Sequence, residues 1–116
     1  MPTTPPQDPR ALLEELRGVT LGRRAALRGD LHEIVDASRG TVHDDEHDPE
    51  GATIAFERAQ VDALARAAGD RLTEVDEALD RVRAGTYGRC EACGRDIDPA
   101  RLAVRPTATR CVSCAR

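Results

Sequence analysis

Four cysteines near the end of the chain constrain its fold more than any other feature. They form two Cys-x-x-Cys pairs, and 17 residues separate Cys93 from Cys111, a spacing typical of tetrahedral zinc sites. Gly94 after the first pair permits a backbone conformation that a β-carbon would hinder, whereas Ala115 is a less typical follower of the second pair. Four thiolates leave no coordination position open to a substrate. We therefore predict one structural Zn²⁺ ion, bound by Cys90, Cys93, Cys111 and Cys114.

Paired cysteines also serve redox chemistry and disulfide scaffolds. A redox pair usually occurs once and on a βαβ pattern, which this sequence lacks, and a disulfide scaffold suits a secreted chain. The sequence has no charged-then-apolar start typical of a secretory signal and no apolar run of the length that spans a membrane. We therefore favour metal over both alternatives and expect a cytoplasmic protein without a membrane segment.

Two Asp-Pro dipeptides, at residues 8–9 and 48–49, each precede a helical pattern. Aspartate is a preferred N-cap and proline is favoured at the first helical position, so both dipeptides predict helix starts. In the second pattern, apolar or small residues recur in alternating steps of four and three from Ile54 to Val82. This is the spacing of a coiled-coil seam, in which Arg58 is the one charged member.

The first pattern is less regular, and its three glycines (Gly18, Gly22 and Gly29) each cost about 1 kcal/mol relative to alanine. The chain has one Phe, one Tyr and no Trp, too few large side chains for an ordinary globular core. We predict a mainly α fold in which two helices form an antiparallel coiled-coil hairpin, with Leu72 and Leu79 buried against the first helix. The predicted divisions are a disordered arm (1–9), the hairpin (10–84) with its tip near 40–52, and a zinc finger (85–116).

Charge is distributed unevenly along the chain. Residues 40–57 contain six acids and no arginine, whereas residues 81–116 contain eight arginines and three acids. The net charge of -4 gives no general signal for nucleic acid, and the arginines lack interleaved aromatic residues, so we favour a solvated face over a nucleic-acid site. The sequence also offers no nucleophile paired with histidine, no open metal position and no phosphate loop, and we do not expect an enzyme.

The segment AGTYGRCEACGRDIDPARLAVRPTATRCVSC, residues 84–114, resembles the zinc-finger signature of the DksA/TraR family of RNA polymerase-binding regulators. The resemblance implies a monomeric protein whose coiled-coil hairpin enters the polymerase secondary channel. It also implies that acidic residues at the tip act near the active centre and alter open-complex lifetime, without sequence-specific DNA binding. Besides the cysteines, the shared residues are Gly85, Tyr87, Gly88, Gly94, Ile97, Arg101, Leu102, Arg105 and Pro106.

The tip departs from the best-known motif of that family, Asp-x-x-Asp-x-Ala. Here the corresponding run is HDPEGA, in which His47 takes the place of the first acid and Asp48 follows it. The run of acids before it is equally compatible with a solvated loop, and Asp48 can also serve as an N-cap. The predicted polymerase-contacting tip residues are Asp45, Asp48, Glu50 and Ala52.

Nucleotide-responsive members of the family carry basic residues near the finger. Arg105 matches one of these positions and is a candidate contact for a nucleotide or for polymerase, but Glu74 and Ala115 stand where lysines would be. We therefore do not expect a response to ppGpp. The alternative to a polymerase regulator is a coiled-coil interaction or stress protein, stapled by zinc, that does not act on polymerase.

Overall fold

The computed structural model describes residues 8–39 and 49–115. Within these ranges the only β pairing is an isolated antiparallel bridge between Arg89 and Asp96, so the predicted mainly α fold is confirmed. No helix of the described ranges is long and apolar enough to cross a bilayer. In chain order the elements are α1 (Pro9–Arg39), α2 (Pro49–Ala84) and α3 (Pro99–Val104).

Aspartate caps two of the helices. The Asp8 carboxylate accepts a hydrogen bond from the Arg10 N–H at 3.1 Å, and the Asp8 carbonyl accepts one from the Leu12 N–H, also at 3.1 Å. Asp98 caps α3 in the same way and accepts from the Ala100 N–H at 2.9 Å. The two carboxylate bonds satisfy N–H groups that a first helical turn leaves without intrahelical partners.

Helix α2 begins at Pro49, as predicted, and ends at a glycine cap. Gly85 has a φ of 76°, in the left-handed region that favours glycine. The Thr86 N–H donates to the Arg81 carbonyl at 2.9 Å, the bond that closes a helix C-terminus in a Schellman motif. The predicted cap Asp48 and the predicted arm up to residue 7 lie outside the described residues, so the division into arm, hairpin and finger stays a prediction.

The chain contains two compact units, and each holds part of α1 and part of α2. The first comprises the chain up to Gly18 and from Leu72 onward. The Arg17 Nε and Asp76 Oδ1 atoms lie 2.7 Å apart and link the two helices within it. The apolar core of this unit is formed by Leu13, Val75, Ala78 and Leu79, with Leu16, Val82 and Tyr87 packed against it.

Burial confirms the predicted seam in the first unit. Leu72 is 8 % exposed and Leu79 is 5 % exposed. The seam prediction missed Ala78, which is fully buried beside Leu79. An alanine is small enough to lie deep in a helix interface without belonging to the four-three pattern.

The second unit, Val19–Arg71, is packed differently. Among its described side chains, Thr20 and Ala68 are the buried ones. The Arg24 side chain crosses to α2, where its Nε atom would lie 3.8 Å from a β-carbon placed on Gly69. Arg58, predicted as a seam member, is exposed, because a guanidinium keeps its hydration at the surface.

Candidate metal centre and adjoining cleft

The first cysteine pair lies on a tight turn. The Cys90 N–H donates to the Arg95 carbonyl at 2.8 Å, and the Gly94 N–H donates back to the Cys90 carbonyl at 2.9 Å. Gly94 has a φ of 76°, a conformation that disfavours residues with a β-carbon. The sequence-based reason for a glycine after the first pair is therefore confirmed.

The second cysteine pair forms a matching turn without a glycine. The Ala115 N–H donates to the Cys111 carbonyl at 2.9 Å, as does the Cys114 N–H at 3.1 Å. No described residue other than glycine has a positive φ, so Ala115 closes this turn without left-handed strain. This geometry explains how an alanine can occupy the position that glycine occupies in the first turn.

Three hydrogen bonds join the two turns and the segment between them. The Glu91 N–H donates to the Thr109 carbonyl at 2.9 Å, and the Arg110 Nε donates to the Glu91 carboxylate at 3.1 Å. Arg101 of α3 donates through its Nε to the Arg110 carbonyl at 3.0 Å. Together these bonds bring the two cysteine pairs face to face.

The four cysteine sulfurs converge on one point. All four Sγ atoms lie within 4.8 Å of one another, and the Cys93 and Cys111 Sγ atoms are 3.8 Å apart. Four sulfurs placed tetrahedrally at the usual Zn–S distance of about 2.3 Å would be separated by about 3.8 Å. The geometry therefore fits one structural Zn²⁺, and the predicted ligands Cys90, Cys93, Cys111 and Cys114 are brought together.

Hydrogen bonds within the cluster shift the pKa values of two thiols in opposite directions. The backbone N–H of Cys111 is the main cause that lowers the pKa of Cys90 to about 6, because it donates to the thiolate. Hydrogen bonding with the Cys111 thiol, then with Cys90 and Cys93, raises the pKa of Cys114 to about 12. Four adjacent thiolates repel one another, and a bound Zn²⁺ supplies the positive charge that holds them deprotonated.

The junction between finger and helices depends on Tyr87, a residue for which the sequence alone indicated no structural role. Its hydroxyl donates to the Pro106 carbonyl at 2.8 Å, while its ring packs against the helical core. Burial raises the pKa of Tyr87, and the nearby positive charge of Arg81 partly opposes this shift. Beside it, the Ile97 N–H donates to the Gly88 carbonyl at 2.7 Å. The one tyrosine therefore anchors the finger to the hairpin.

A cleft of about 260 Å³ lies between the end of α2 and the finger. Glu74 and Glu77 of α2 supply carboxylates to its wall, and Arg105 and Ala115 of the finger lie on the same cleft. Glu74, Arg105 and Ala115 therefore lie on one cleft. These are the three positions at which nucleotide-responsive relatives carry basic residues. Further arginines in the lining are Arg81, Arg101 and Arg110.

The predicted tip residues are not brought together by the described part of the chain. Asp45 and Asp48 lie outside the described residues, and Glu50 is described only as part of the first turn of α2. Ala52 is exposed on the same helix. The tip as a functional site therefore stays a prediction.

Comparison with known proteins agrees with this geometry. The family model of the prokaryotic dksA/traR C4-type zinc finger matches residues 85–116. A relative named RNA polymerase-binding transcription factor DksA, from Caulobacter vibrioides, is 39 % identical over 87 residues, covering 69 % of this chain and 61 % of its own length. An uncharacterized protein from Aquifex aeolicus is 46 % identical over 44 residues, covering 38 % of this chain and 30 % of its own length.

The resemblance extends from the finger to the helices. The solved structure of transcription factor DksA2 from Pseudomonas aeruginosa matches with a TM-score of 0.78 and 28 % identity, covering 92 % of this chain and 77 % of that one. The chain spans less than two thirds of the length of the two curated relatives above. The zinc-finger match, the aligned relatives and the shared hairpin architecture lead to one assignment. The chain therefore carries a zinc finger of the DksA/TraR family, joined to a helical hairpin similar to that of DksA2.

Proposed function

We propose that this protein is a transcription regulator that binds RNA polymerase directly and modulates initiation. The observation that carries the proposal is the alignment with the Caulobacter DksA, a protein named for RNA polymerase binding. Its 87 residues extend well beyond the zinc finger of residues 85–116 into the helical hairpin. The hairpin is the element with which a DksA-like protein would reach the polymerase.

In this proposal the tip of the hairpin enters the secondary channel. Acids cluster between residues 40 and 57, where the chain has no arginine. Carboxylates are suited to the neighbourhood of a Mg²⁺-containing catalytic centre or of basic mobile elements beside it. Asp45, Asp48 and Glu50 would govern the effect on initiation, while the arginine-bearing finger would hold the outer polymerase surface. The protein would act as a cytoplasmic monomer, with no catalysis of its own and no sequence-specific DNA contact.

In this proposal the regulator works without ppGpp. Glu74 and Glu77 place two carboxylates in the same lining as Arg105. A polyphosphate would be attracted by the four arginines of the lining and repelled by both carboxylates, so this part of the proposal rests on the lysines of responsive relatives that Glu74 and Ala115 replace. Ala115, at the position where responsive relatives have a lysine, offers no compensating charge.

In vitro transcription with purified polymerase tests the proposal. Adding the protein should change open-complex lifetime, and the triple variant Asp45→Asn, Asp48→Asn, Glu50→Ala should lose most of this effect while still binding polymerase in a pull-down. Neutralising an exposed acid on α2 away from the tip, Asp70→Asn, provides the matched control. Because Asp48 can cap α2, circular dichroism must first show normal helicity for the triple variant.

Two results would contradict this function. One is wild-type protein that neither binds core polymerase nor changes open-complex lifetime. The other is undiminished regulation by the triple variant. Either result would favour an interaction or stress protein that uses the zinc-stapled hairpin for another partner.

A further inference from the structure

The second unit contains a groove along the face where α1 and α2 meet, with a volume of about 420 Å³. Its apolar part is formed by Ile34 and Val61, both half-buried. Around these apolar side chains the lining is acidic, and no arginine contributes to it. The polar lining residues are Asp30 and Glu33 of α1 with Glu57 and Gln60 of α2.

Two exposed apolar side chains lie on α2 before and after the residues that line the groove. Phe56 is 67 % exposed and Leu64 is 44 % exposed, and they are the large hydrophobic residues that the described part of α2 leaves exposed. They stand four residues before and four residues after Gln60, so they occupy successive turns of one helix face. At 1.5 Å per residue, the stretch from Phe56 to Leu64 is about 12 Å long. Isolated exposed hydrophobic residues are ordinary, but two on one face of a helix that also lines a groove favour a contact surface.

The charge of the lining selects the kind of partner. Carboxylates from Asp30, Glu33 and Glu57 repel phosphate, which disfavours nucleic acid and anionic membranes as occupants. They attract lysine and arginine side chains, while Ile34 and Val61 offer an apolar surface to aliphatic ones. A helix that carries apolar residues on one side and basic residues at its flanks supplies both, and grooves between helices commonly receive such helices.

We propose that this groove is a docking site for a basic amphipathic helix of a protein partner. About two turns of a partner helix would cover the strip, with aliphatic side chains over Ile34 and Val61 and between Phe56 and Leu64. Its lysines or arginines would pair with Glu33 and Glu57 on opposite sides. The inference goes beyond the proposed function, because it concerns the side of the hairpin rather than its tip and holds for any partner with such a helix.

Nuclear magnetic resonance on the full, zinc-loaded chain tests the site with a defined probe. The probe is a synthetic helical peptide of leucine and lysine, about four turns long, with leucines at the i, i+3, i+4, i+7 spacing of groove-binding helices. Its titration should give saturable amide shifts at residues 30–34 and 56–64. The affinity should fall as salt is raised, because surface charge pairs are screened. A peptide with glutamate in place of lysine should not bind.

Two variants and one control identify the residues responsible. Glu33→Lys with Glu57→Lys should weaken binding about tenfold or more, since two attractive contacts become repulsive. Phe56→Ala should weaken it about threefold without changing charge. Asp70→Lys, a single charge reversal at an exposed α2 position outside the groove lining, should leave the affinity within about twofold, as is usual for a charge remote from the contact.

Three outcomes would overturn the proposal. The first is binding that survives the double charge reversal, and the second is amide shifts spread evenly along α2. The third is groove shifts that depend on the concentration of the protein itself, without peptide, because they would identify a second copy of the chain as the occupant. All variants are at exposed helical positions, and circular dichroism establishes that they keep the wild-type helix content.

Discussion

The two units of this protein use the same two helices for different purposes. In the unit that carries the finger, Leu13 and Val75 are fully buried, and the four cysteines add a metal centre. In the Val19–Arg71 unit, the buried described side chains are a threonine and an alanine, and Phe56 and Leu64 are exposed. Apolar burial and metal binding are the large stabilising terms in a small protein. Stability is therefore concentrated beside the finger, while the other unit leaves apolar side chains exposed.

Among these tests, removing zinc should have the largest effect, and the effect should be confined to the finger-bearing unit. Cys111→Ser, or a strong chelator, should abolish fixed structure in residues 85–115, because structural zinc contributes apparent binding free energies of about 10–16 kcal/mol in such small domains. The amide spectrum of Val19–Arg71, a unit without cysteine, should remain. Native mass spectrometry reports the lost metal and nuclear magnetic resonance reports the lost structure. Finger amide shifts that stay unchanged in the variant would contradict the role assigned to the ion.

Acidification should weaken the same metal centre in two stages. Because the pKa of Cys114 is raised to about 12, zinc must displace its proton throughout the neutral range, and affinity should fall by at least about tenfold for each unit by which pH is lowered. Below about 6, the pKa of Cys90, the proton of this thiol also competes and the dependence should steepen. Competition with a chromophoric chelator at several pH values measures this, and an affinity independent of pH between 8 and 6 would contradict it.

A pair of leucines on α2 tests the difference in burial. Leu79→Ala should lower the free energy of unfolding by about 2–5 kcal/mol, the usual cost of truncating a buried leucine, since Leu79 is 5 % exposed in the core of the finger-bearing unit. Leu64→Ala removes the same atoms from a side chain that is 44 % exposed, and should cost less than about 1 kcal/mol. Chemical denaturation followed by circular dichroism measures both. Equal costs would show that the two units are packed alike.

Glycine substitution in α1 should give the smallest effect, and a stabilising one. A β-carbon at Gly22 or Gly29 would meet no atom within 4 Å, and both residues lie inside the helix. Alanine should therefore raise the free energy of unfolding by about 0.5–1 kcal/mol at either position through its higher helix propensity. Gly94→Ala is the contrasting control, because its φ of 76° should make the same change destabilising. Thermal unfolding monitored by circular dichroism distinguishes the two signs.

Sequence patterns predicted the parts of this structure that depend on local chemistry. Cysteine spacing predicted the sulfur cluster, and the Asp-Pro dipeptides predicted the starts of α1 and α2. Arg58 was wrongly placed in the seam, because a four-three pattern identifies one side of a helix but not whether a partner covers that side. The groove and the Tyr87 anchor depend on contacts between residues far apart in sequence, which periodicity does not encode.

The hydrogen bond from Tyr87 to Pro106 places the one tyrosine at the contact between finger and helices. Its absorbance and fluorescence can therefore report whether that contact is formed. The chain has one tyrosine and no tryptophan, so its ultraviolet fluorescence originates almost entirely at the contact between finger and helices. When that contact opens, the phenol gains solvent and its pKa returns downward toward the ordinary range, because the burial that raised it is gone. Emission intensity and alkaline absorbance titration can therefore follow the finger without a label, in the presence of any partner that lacks tyrosine and tryptophan.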